Sequence, residues 1–457
     1  MKKSLAVAGA LLALAGVDGA ACAADEADDS LTWFGVTLYG TVDVGYTYQN
    51  RGTPLNDYYP SGLEYLLQKN SNRSVSSLSE NAMSQSKVGL RGIQEFLDGW
   101  SGIFKLETGF NPLSGEVSDA LKSMTQNNGV PLARQSTNGD SSRAGQPFQG
   151  AAYAGISSPK YGTLTLGRQT ALLLDNILKY DPMAGAYAFS LPGYSGTAGG
   201  SGYTQDARLD NSAKYINQVG LFRAGAQFQS GIGTGSGGNA IELNLGADPL
   251  PGASLDAAYG SKKDAVLGAP LSAAQLAALP RTIAPDSAVA ATVADNKSWQ
   301  VNWSYLYRAA RFSFGYENIQ YHNPQTRLAI GAPVIGGYTI GALNNPANNN
   351  LFPSAKILQV IWTGVKYSVS SRFDLNAAWY YLNQNGYNAA ARCPGGVADA
   401  GACSGRANAY SLVADYRFNR HFDAYAGLMY SHYADGLAAG YLNSWTIDPT
   451  IGGRFNF

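Results

Sequence analysis

The stretch Val36-Thr37-Leu38-Tyr39-Gly40-Thr41-Val42-Asp43-Val44-Gly45-Tyr46-Thr47-Tyr48-Gln49 changes side-chain character at nearly every step. One set reads Val36, Leu38, Gly40, Val42, Val44, Tyr46, Tyr48; the other reads Thr37, Tyr39, Thr41, Asp43, Gly45, Thr47, Gln49. Successive side chains of a strand point to opposite faces, so a period of two marks a strand whose faces meet different surroundings. The pattern returns along the chain. Trp299, Val301, Trp303, Tyr305 and Tyr307 oppose Ser298, Gln300, Asn302 and Ser304, while Phe312, Phe314 and Tyr316 oppose Arg311, Ser313, Gly315 and Glu317. Likewise Tyr410, Leu412, Ala414, Tyr416 and Phe418 oppose Ser411, Asp415 and Arg417. A soluble sandwich shares this alternation. Aromatics separate the two readings: Tyr46 with Tyr48, Tyr305 with Tyr307, and Trp379 with Tyr381 lie toward the ends of apolar faces. An amphipathic ring is most stable there in a membrane barrel, at headgroup level.

Composition points the same way. The 457 residues include 54 glycines and only 14% charged residues, against about 25% charged in a soluble domain. The 32 basic and 32 acidic residues cancel, which excludes a bulk attraction to nucleic acid. Mean hydropathy is -0.15, and beyond residue 24 no apolar run approaches the ~20 residues of a membrane helix.

Lys2 and Lys3, the apolar stretch Leu5 to Val17 and the small residues Gly19 to Ala24 follow the order of a secretory signal. Residues 1–24 are therefore expected to be cleaved, leaving residues 25–457 as one domain. A lipid-anchored reading through Cys22 is disfavoured by Gly19, which stands where such a signal carries leucine. Cys393 and Cys403 bracket one glycine-rich segment, and export passes through an oxidising compartment, so a disulfide closing a surface loop is expected. A metal site at these cysteines would need two further soft ligands, which His322, His421 and His432 do not supply. No metal or other cofactor is expected.

Candidate strands begin near Val36, Gln85, Ser101, Pro147, Thr163, Arg208, Leu221, Ala240, Ala253, Lys297, Ala310, Lys356, Arg372, Asn408, His421 and Ile447, which makes sixteen. That leaves roughly 27 residues per strand and connection, enough for crossings of about 9–11 residues joined by alternating short and long links. Short links include Leu97-Asp98-Gly99, Arg308-Ala309 and Asn419-Arg420; long ones run 50–84, 112–146, 170–207, 262–296, 322–355 and 385–407. The expected architecture is all-β: a sixteen-stranded antiparallel transmembrane barrel with short periplasmic turns and long extracellular loops. Closure leaves no sheet edge that lipid could not satisfy. Ser272 to Leu279 could form a helical turn or a plain loop.

The blocks Val36 to Asp43, Ser86-Lys87-Val88-Gly89-Leu90-Arg91-Gly92, Phe104 to Phe110, Tyr161 to Gln169 and Arg208 to Tyr215, with the terminal Phe457, resemble the Gram-negative general porins of the β-proteobacterial type. The resemblance spans the mature chain in order. It implies a water-filled, homotrimeric channel in the outer membrane for ions and small polar solutes, assembled through its C-terminal aromatic by the barrel-assembly machinery, with outer-membrane lipid around it and no nucleic-acid partner. It also implies that the third long loop, residues 170–207, folds inward as a constriction. Carried over by position, the basic wall is Lys87, Arg91 and Arg208, and the loop carboxylates are Asp175 and Asp181. Alternation independently turns Lys87, Arg91 and Arg208 inward, together with Lys105, Glu107, Asp210 and Lys214. Arg168 shares the parity of Leu164 and Leu166, so it belongs at a subunit contact or the loop base. The family usually carries an arginine where this chain has Gly150, which predicts a wider or less anion-favouring constriction unless Arg134 or Arg143 compensates.

Other chemistry finds little support. The three histidines sit in no arrangement with a nucleophile, and no helix signal follows the phosphate-loop-like run Gly233-Thr234-Gly235-Ser236-Gly237-Gly238. A plugged transporter would need about 22 strands. An enzyme is not expected. Three classes remain: a general diffusion pore, a substrate-selective porin using residues such as Arg134, Arg143 and Lys179, and a surface adhesin or receptor with an incidental pore.

Overall fold

The computed structural model describes residues 31–50, 74–117, 147–192, 208–231, 238–270, 289–325, 334–335, 338–339, 347–349, 352–389, 402–438 and 443–457. The alternating segments form sixteen strands. In chain order these are β1 (Val36–Gln49), β2 in two pieces (Val75–Glu80 and Lys87–Leu97), β3 (Trp100–Gly109), β4 (Ala151–Ser158), β5 (Gly162–Thr170), β6 (Arg208–Val219), β7 (Phe222–Gln229) and β8 (Ala240–Ala247). Then follow β9 (Ala253–Pro270), β10 (Val289–Tyr307), β11 (Ala310–His322), β12 (Lys356–Ser370), β13 (Phe373–Gln384), β14 (Gly405–Arg417), β15 (Phe422–Asp435) and β16 (Trp445–Asn456). One helix, α1 (Leu172–Tyr180), follows β5. Each of the sixteen strands pairs antiparallel with its neighbours, and β1 pairs with β16, closing the sheet. Thr32–Trp33 and Ala347–Asn349 add short pieces at the rims.

The two faces separate as the alternation requires. Leu166, Leu243, Trp299, Val301, Phe312, Phe314 and Leu412 are exposed on the outside, whereas Gln300, Asn302, Ser304 and Glu317 on the opposite parity are buried. No helix among the described residues is long and apolar enough to cross a membrane; the strands do so. Tight turns join them on one side. Gly99 and Gly252 sit there at φ +70° and +82°, a left-handed backbone that side chains other than glycine's rarely adopt. At the seam, Gly40 exchanges two backbone hydrogen bonds with Phe457, at 2.9 and 3.0 Å. A Cβ at Gly40 would lie 2.4 Å from the Phe457 ring, so the glycine makes room for the terminal aromatic.

Three long links contain more strand than expected. Val75–Glu80, inside 50–84, pairs with the upper part of β1. β9 runs on to Pro270 and β10 starts at Val289, their ladder continuing past a bulge between Lys262 and Ala265. A membrane crossing needs only about 9–11 residues, so these 18- and 19-residue strands continue their hydrogen bonding into water, where the two-sided alternation fades. Ala347–Asn349 does the same within 322–355, pairing parallel to β10. The candidate helix at Ser272 to Leu279 and the glycine run 233–238, apart from Gly238, lie outside the described residues, as do the signal segment, Arg134 and Arg143.

Candidate constriction site

After Thr170 the chain enters the barrel. Leu173 N–H donates to Glu242 Oε2 on β8 (3.2 Å), and Gln300 Nε2 on β10 donates to the Leu173 carbonyl (3.2 Å). Asn176 Nδ2 donates to Asn244 (2.9 Å). Glu242, Asn244 and Gln300 all lie on the polar, inward parity, so α1 lies against the inner wall of β8 to β10. Leu174 and the preceding Ala171 pack with Leu209 of β6 and Ala240 of β8.

At the C-terminal end of α1 a polar hub fixes the helix. Asp256 of β9 accepts from Lys179 Nζ (2.7 Å), from the Tyr180 hydroxyl, from Arg223 of β7 (3.0 Å) and from Asn244 (3.0 Å). Arg223 also pairs with Asp248. Burial lowers the Lys179 ammonium's pKa against the pull of Asp256, and burial beside Asp256 raises the Tyr180 phenol's.

Past α1 the loop turns across the opposite wall. Asp181 accepts from Tyr380 of β13 (2.7 Å) and from the amides of Gly185 (2.7 Å) and Met183 (3.2 Å). Burial raises its pKa despite those donors. Ser411 of β14 donates to the Phe189 carbonyl (2.6 Å), and Ala188 N–H donates to Ala82 (2.8 Å) between the two pieces of β2. Met183, Ala186, Phe189 and Leu191 pack on Ile319, Leu358, Val360, Trp362, Tyr380, Leu382 and Met429. The inner wall of β11 to β15 is therefore apolar where the loop covers it. Sequence reasoning missed this seat. Its signal was that Leu358, Val360 and Trp362 share a strand with the outward Ile357 and Ile361, leaving no polar face.

The expected basic wall divides. Lys87, Arg91, Lys105 and Glu107 share one face of β2 and β3, with Tyr39 of β1 among them. Glu107 Oε2 lies 3.8 Å from Lys87 Nζ and 3.2 Å from Lys105 Nζ, and it accepts from the Tyr39 hydroxyl at 2.9 Å. Arg91 and Lys105 stand over the Tyr39 ring at 5.4 and 5.5 Å. Two glycines make space for this group. A Cβ at Gly89 would lie 2.5 Å from the Tyr39 hydroxyl, and one at Gly150 would lie 2.7 Å from Glu107 Oε1. The missing arginine at 150 is thus replaced by the Glu107 carboxylate. Tyr39 was not singled out from sequence, although its parity with Thr37 and Thr41 placed it on this face.

Arg208 and Asp210 depart from the expected row. β6 carries a bulge opposite Gly167–Gln169, with Asn211 at φ +48°. The extra residue resets the alternation: Leu209, Ser212 and Lys214 share the inward side, and Leu209 is fully buried against α1. Asp210 instead pairs with Arg168 at 2.5 Å, and Arg208 Nε donates to the Gly150 carbonyl at 2.9 Å. Arg168 Nε reaches the Gln149 carbonyl (2.9 Å), which puts it at the base of the loop.

The loop carboxylates do not stand as expected either. Asp175 pairs with Lys214 on the wall beside its own helix, and Asp181 is turned into the apolar seat. Cys403 is disulfide-bonded; Cys393, its expected partner, lies outside the described residues.

A closed barrel with a loop folded inside defines an outer-membrane channel architecture, and comparison with known proteins narrows it. The Gram-negative porin family model matches residues 8–436, so the chain belongs to that family. It is 29% identical over 250 residues to an outer membrane porin protein of Bordetella pertussis, covering 49% of this chain and 53% of that one, about half the relative's length. The fold resembles the anion-selective porin from Comamonas acidovorans, with a TM-score of 0.58 at 15% identity over 92% of this chain and 99% of that one. It also resembles the trimer form of OmpT from Vibrio cholerae, with a TM-score of 0.54 at 14% identity over 92% and 99%. At such identities the likeness shows the fold alone.

Proposed function

We propose that the chain forms an open channel in the outer membrane through which ions and small hydrophilic solutes diffuse, and that it favours anions. The carrying observation is the group on β1 to β3. Lys87 and Lys105 pair with Glu107, and Arg91 stands beside them over the Tyr39 ring, so three cations gather at this patch of the lumen wall. Asp175 and Asp181 have wall partners of their own, which supports a positive rather than balanced constriction. The Comamonas relative's description as anion-selective points the same way.

The channel is proposed to be a homotrimer, as the Vibrio OmpT trimer form suggests by analogy, and to carry no catalytic step. Phe457, seated over Gly40 at the seam, is read as the mark taken up by the assembly machinery. The test is the zero-current potential of the purified protein in a planar bilayer under a KCl gradient. A potential of the sign set by chloride supports the proposal; one set by potassium overturns the anion preference, and absence of conductance overturns the channel.

A further inference from the structure

Most of the barrel's outer face is a convex belt of aliphatic and aromatic side chains, but a trough interrupts it across β13 to β16 and β1. Its floor is made of Gly45, Gly452, Ala414, Ala424 and Ala426, and it holds about 660 Å³. The alanines supply the outward side of the floor, while Gly452 leaves room on the inner side for the Tyr425 hydroxyl, which a Cβ there would approach to 2.2 Å. Tyr46 and Leu78, both exposed, stand at the upper end, and Phe373 and Tyr416 stand at the lower end. Tyr46, Phe373, Ala414, Tyr416, Ala424, Ala426 and Ile451 lie on the parity that faces the membrane, and Gly45 and Gly452 contribute only backbone to the floor.

The lower end meets charge. Phe373 opens β13 directly after Arg372, and the Arg372 carbonyl accepts from Arg417 N–H beside Tyr416 (2.8 Å). The next turn along, between β14 and β15, carries Arg420 and His421. Arg372 and Arg420 are both exposed, whereas the nearby acids Asp374 and Asp423 are buried on the lumen side, paired with Arg417 and Arg454. Stacked Phe418 and Phe422, 5.3 Å between centroids, separate these turns from the trough. A trough for hydrocarbon, an aromatic band and two guanidinium groups thus follow one another along the membrane normal, in the order of acyl chain, glycerol region and phosphate.

We infer that this trough is a phospholipid site of the periplasmic leaflet: one acyl chain lies over Gly45, Gly452 and the three alanines, and an anionic headgroup is held by Arg372 and Arg420. Each arginine strengthens the attraction for an acidic lipid by about fivefold, so with both an acidic headgroup is preferred to a zwitterionic one by about thirtyfold. The seat is shape-selective as well, because a bulky side chain at an alanine of the floor fills it.

The test is native mass spectrometry of the delipidated protein titrated with phosphatidylglycerol and, separately, with phosphatidylethanolamine. Ala414→Trp blocks the trough from outside the hydrogen-bonded ladder, and Arg372→Glu with Arg420→Glu reverses the charge at its mouth. Retention of the folded band's heat-modifiable mobility on gels confirms that the variants fold; if Ala414→Trp does not, Ala426→Leu takes its place. The expected result is a saturable phosphatidylglycerol adduct that the trough-filling variant loses. In the double reversal the preference inverts, phosphatidylethanolamine binding more tightly than phosphatidylglycerol. Equal adducts on the native and trough-filled protein would overturn the site. So would loss of oligomer with unchanged lipid binding, which would assign the trough to a second copy of the chain.

Discussion

Replacing Asp256 with asparagine tests whether the hub at the C-terminal end of α1 holds the loop against the wall. Asp256 is almost fully buried and serves Lys179, Tyr180, Arg223 and Asn244. Breaking a fully buried ion pair by removing one partner costs about 3–5 kcal/mol. Here Lys179, 37% exposed, turns to water, and Arg223 keeps Asp248, so about 2 kcal/mol is expected. That corresponds to a roughly 30-fold rise in the population with the end of α1 released. The apolar seat of Met183 to Leu191 remains, so the barrel stays folded and the channel stays open on average. The assay is single-channel recording in a planar bilayer: open-channel current noise and brief closures increase, while the ion preference is unchanged. Quiet D256N channels with native conductance would refute the assignment of the hub as the loop's anchor.

Reversing Lys105 to glutamate removes one cation and adds one anion to the Tyr39–Glu107 group. With a unit charge at 4 Å in water worth about 1 kcal/mol, the anion-to-cation permeability ratio falls by about tenfold at low salt and by less as salt screens it. Reversal potentials at two ionic strengths check this. Gly150→Arg forces the Glu107 carboxylate from its place and supplies a further cation, so bilayer recordings should show lower conductance with stronger anion preference. Asp181 gives the loop a pH signature. Burial raises its folded-state pKa above the unfolded value, so its contribution is fully present below the ordinary carboxyl pKa and is lost as pH rises through the raised value. Midpoints of thermal unfolding followed by gel mobility should therefore gain from acidification across that window in the native protein, and less so in D181N.

Strand placement was legible because alternation is set by two solvents, lipid outside and water within, and each strand records both. Val36, Arg208, Ala240, Ala253, Ala310 and Lys356 begin strands where the pattern begins. What lay beyond the length needed to cross hydrocarbon was not legible: Val75–Glu80 and the extensions of β9 to Pro270 and of β10 from Val289 lie in links whose sequence carries no apolar-polar alternation. The site was only half readable. Lys87, Arg91, Lys105 and Glu107 follow simple parity on β2 and β3. Arg208 and Asp210 do not, because one left-handed residue, Asn211, shifts the register, and nothing in the neighbouring side chains announces it. Asp175 and Asp181 required the path of the loop, which is set by long-range packing on Leu358, Val360 and Trp362.

The central claim is that neighbouring residues of one strand meet water and hydrocarbon in turn. Single cysteines at Lys87, Lys105 and Thr41, and at Leu90, Leu106 and Leu38, in outer-membrane vesicles probed with a small water-soluble maleimide, test it most directly. The first three should be labelled and the second three protected until detergent is added. Equal labelling of both sets, or protection of both, would contradict a water-filled barrel.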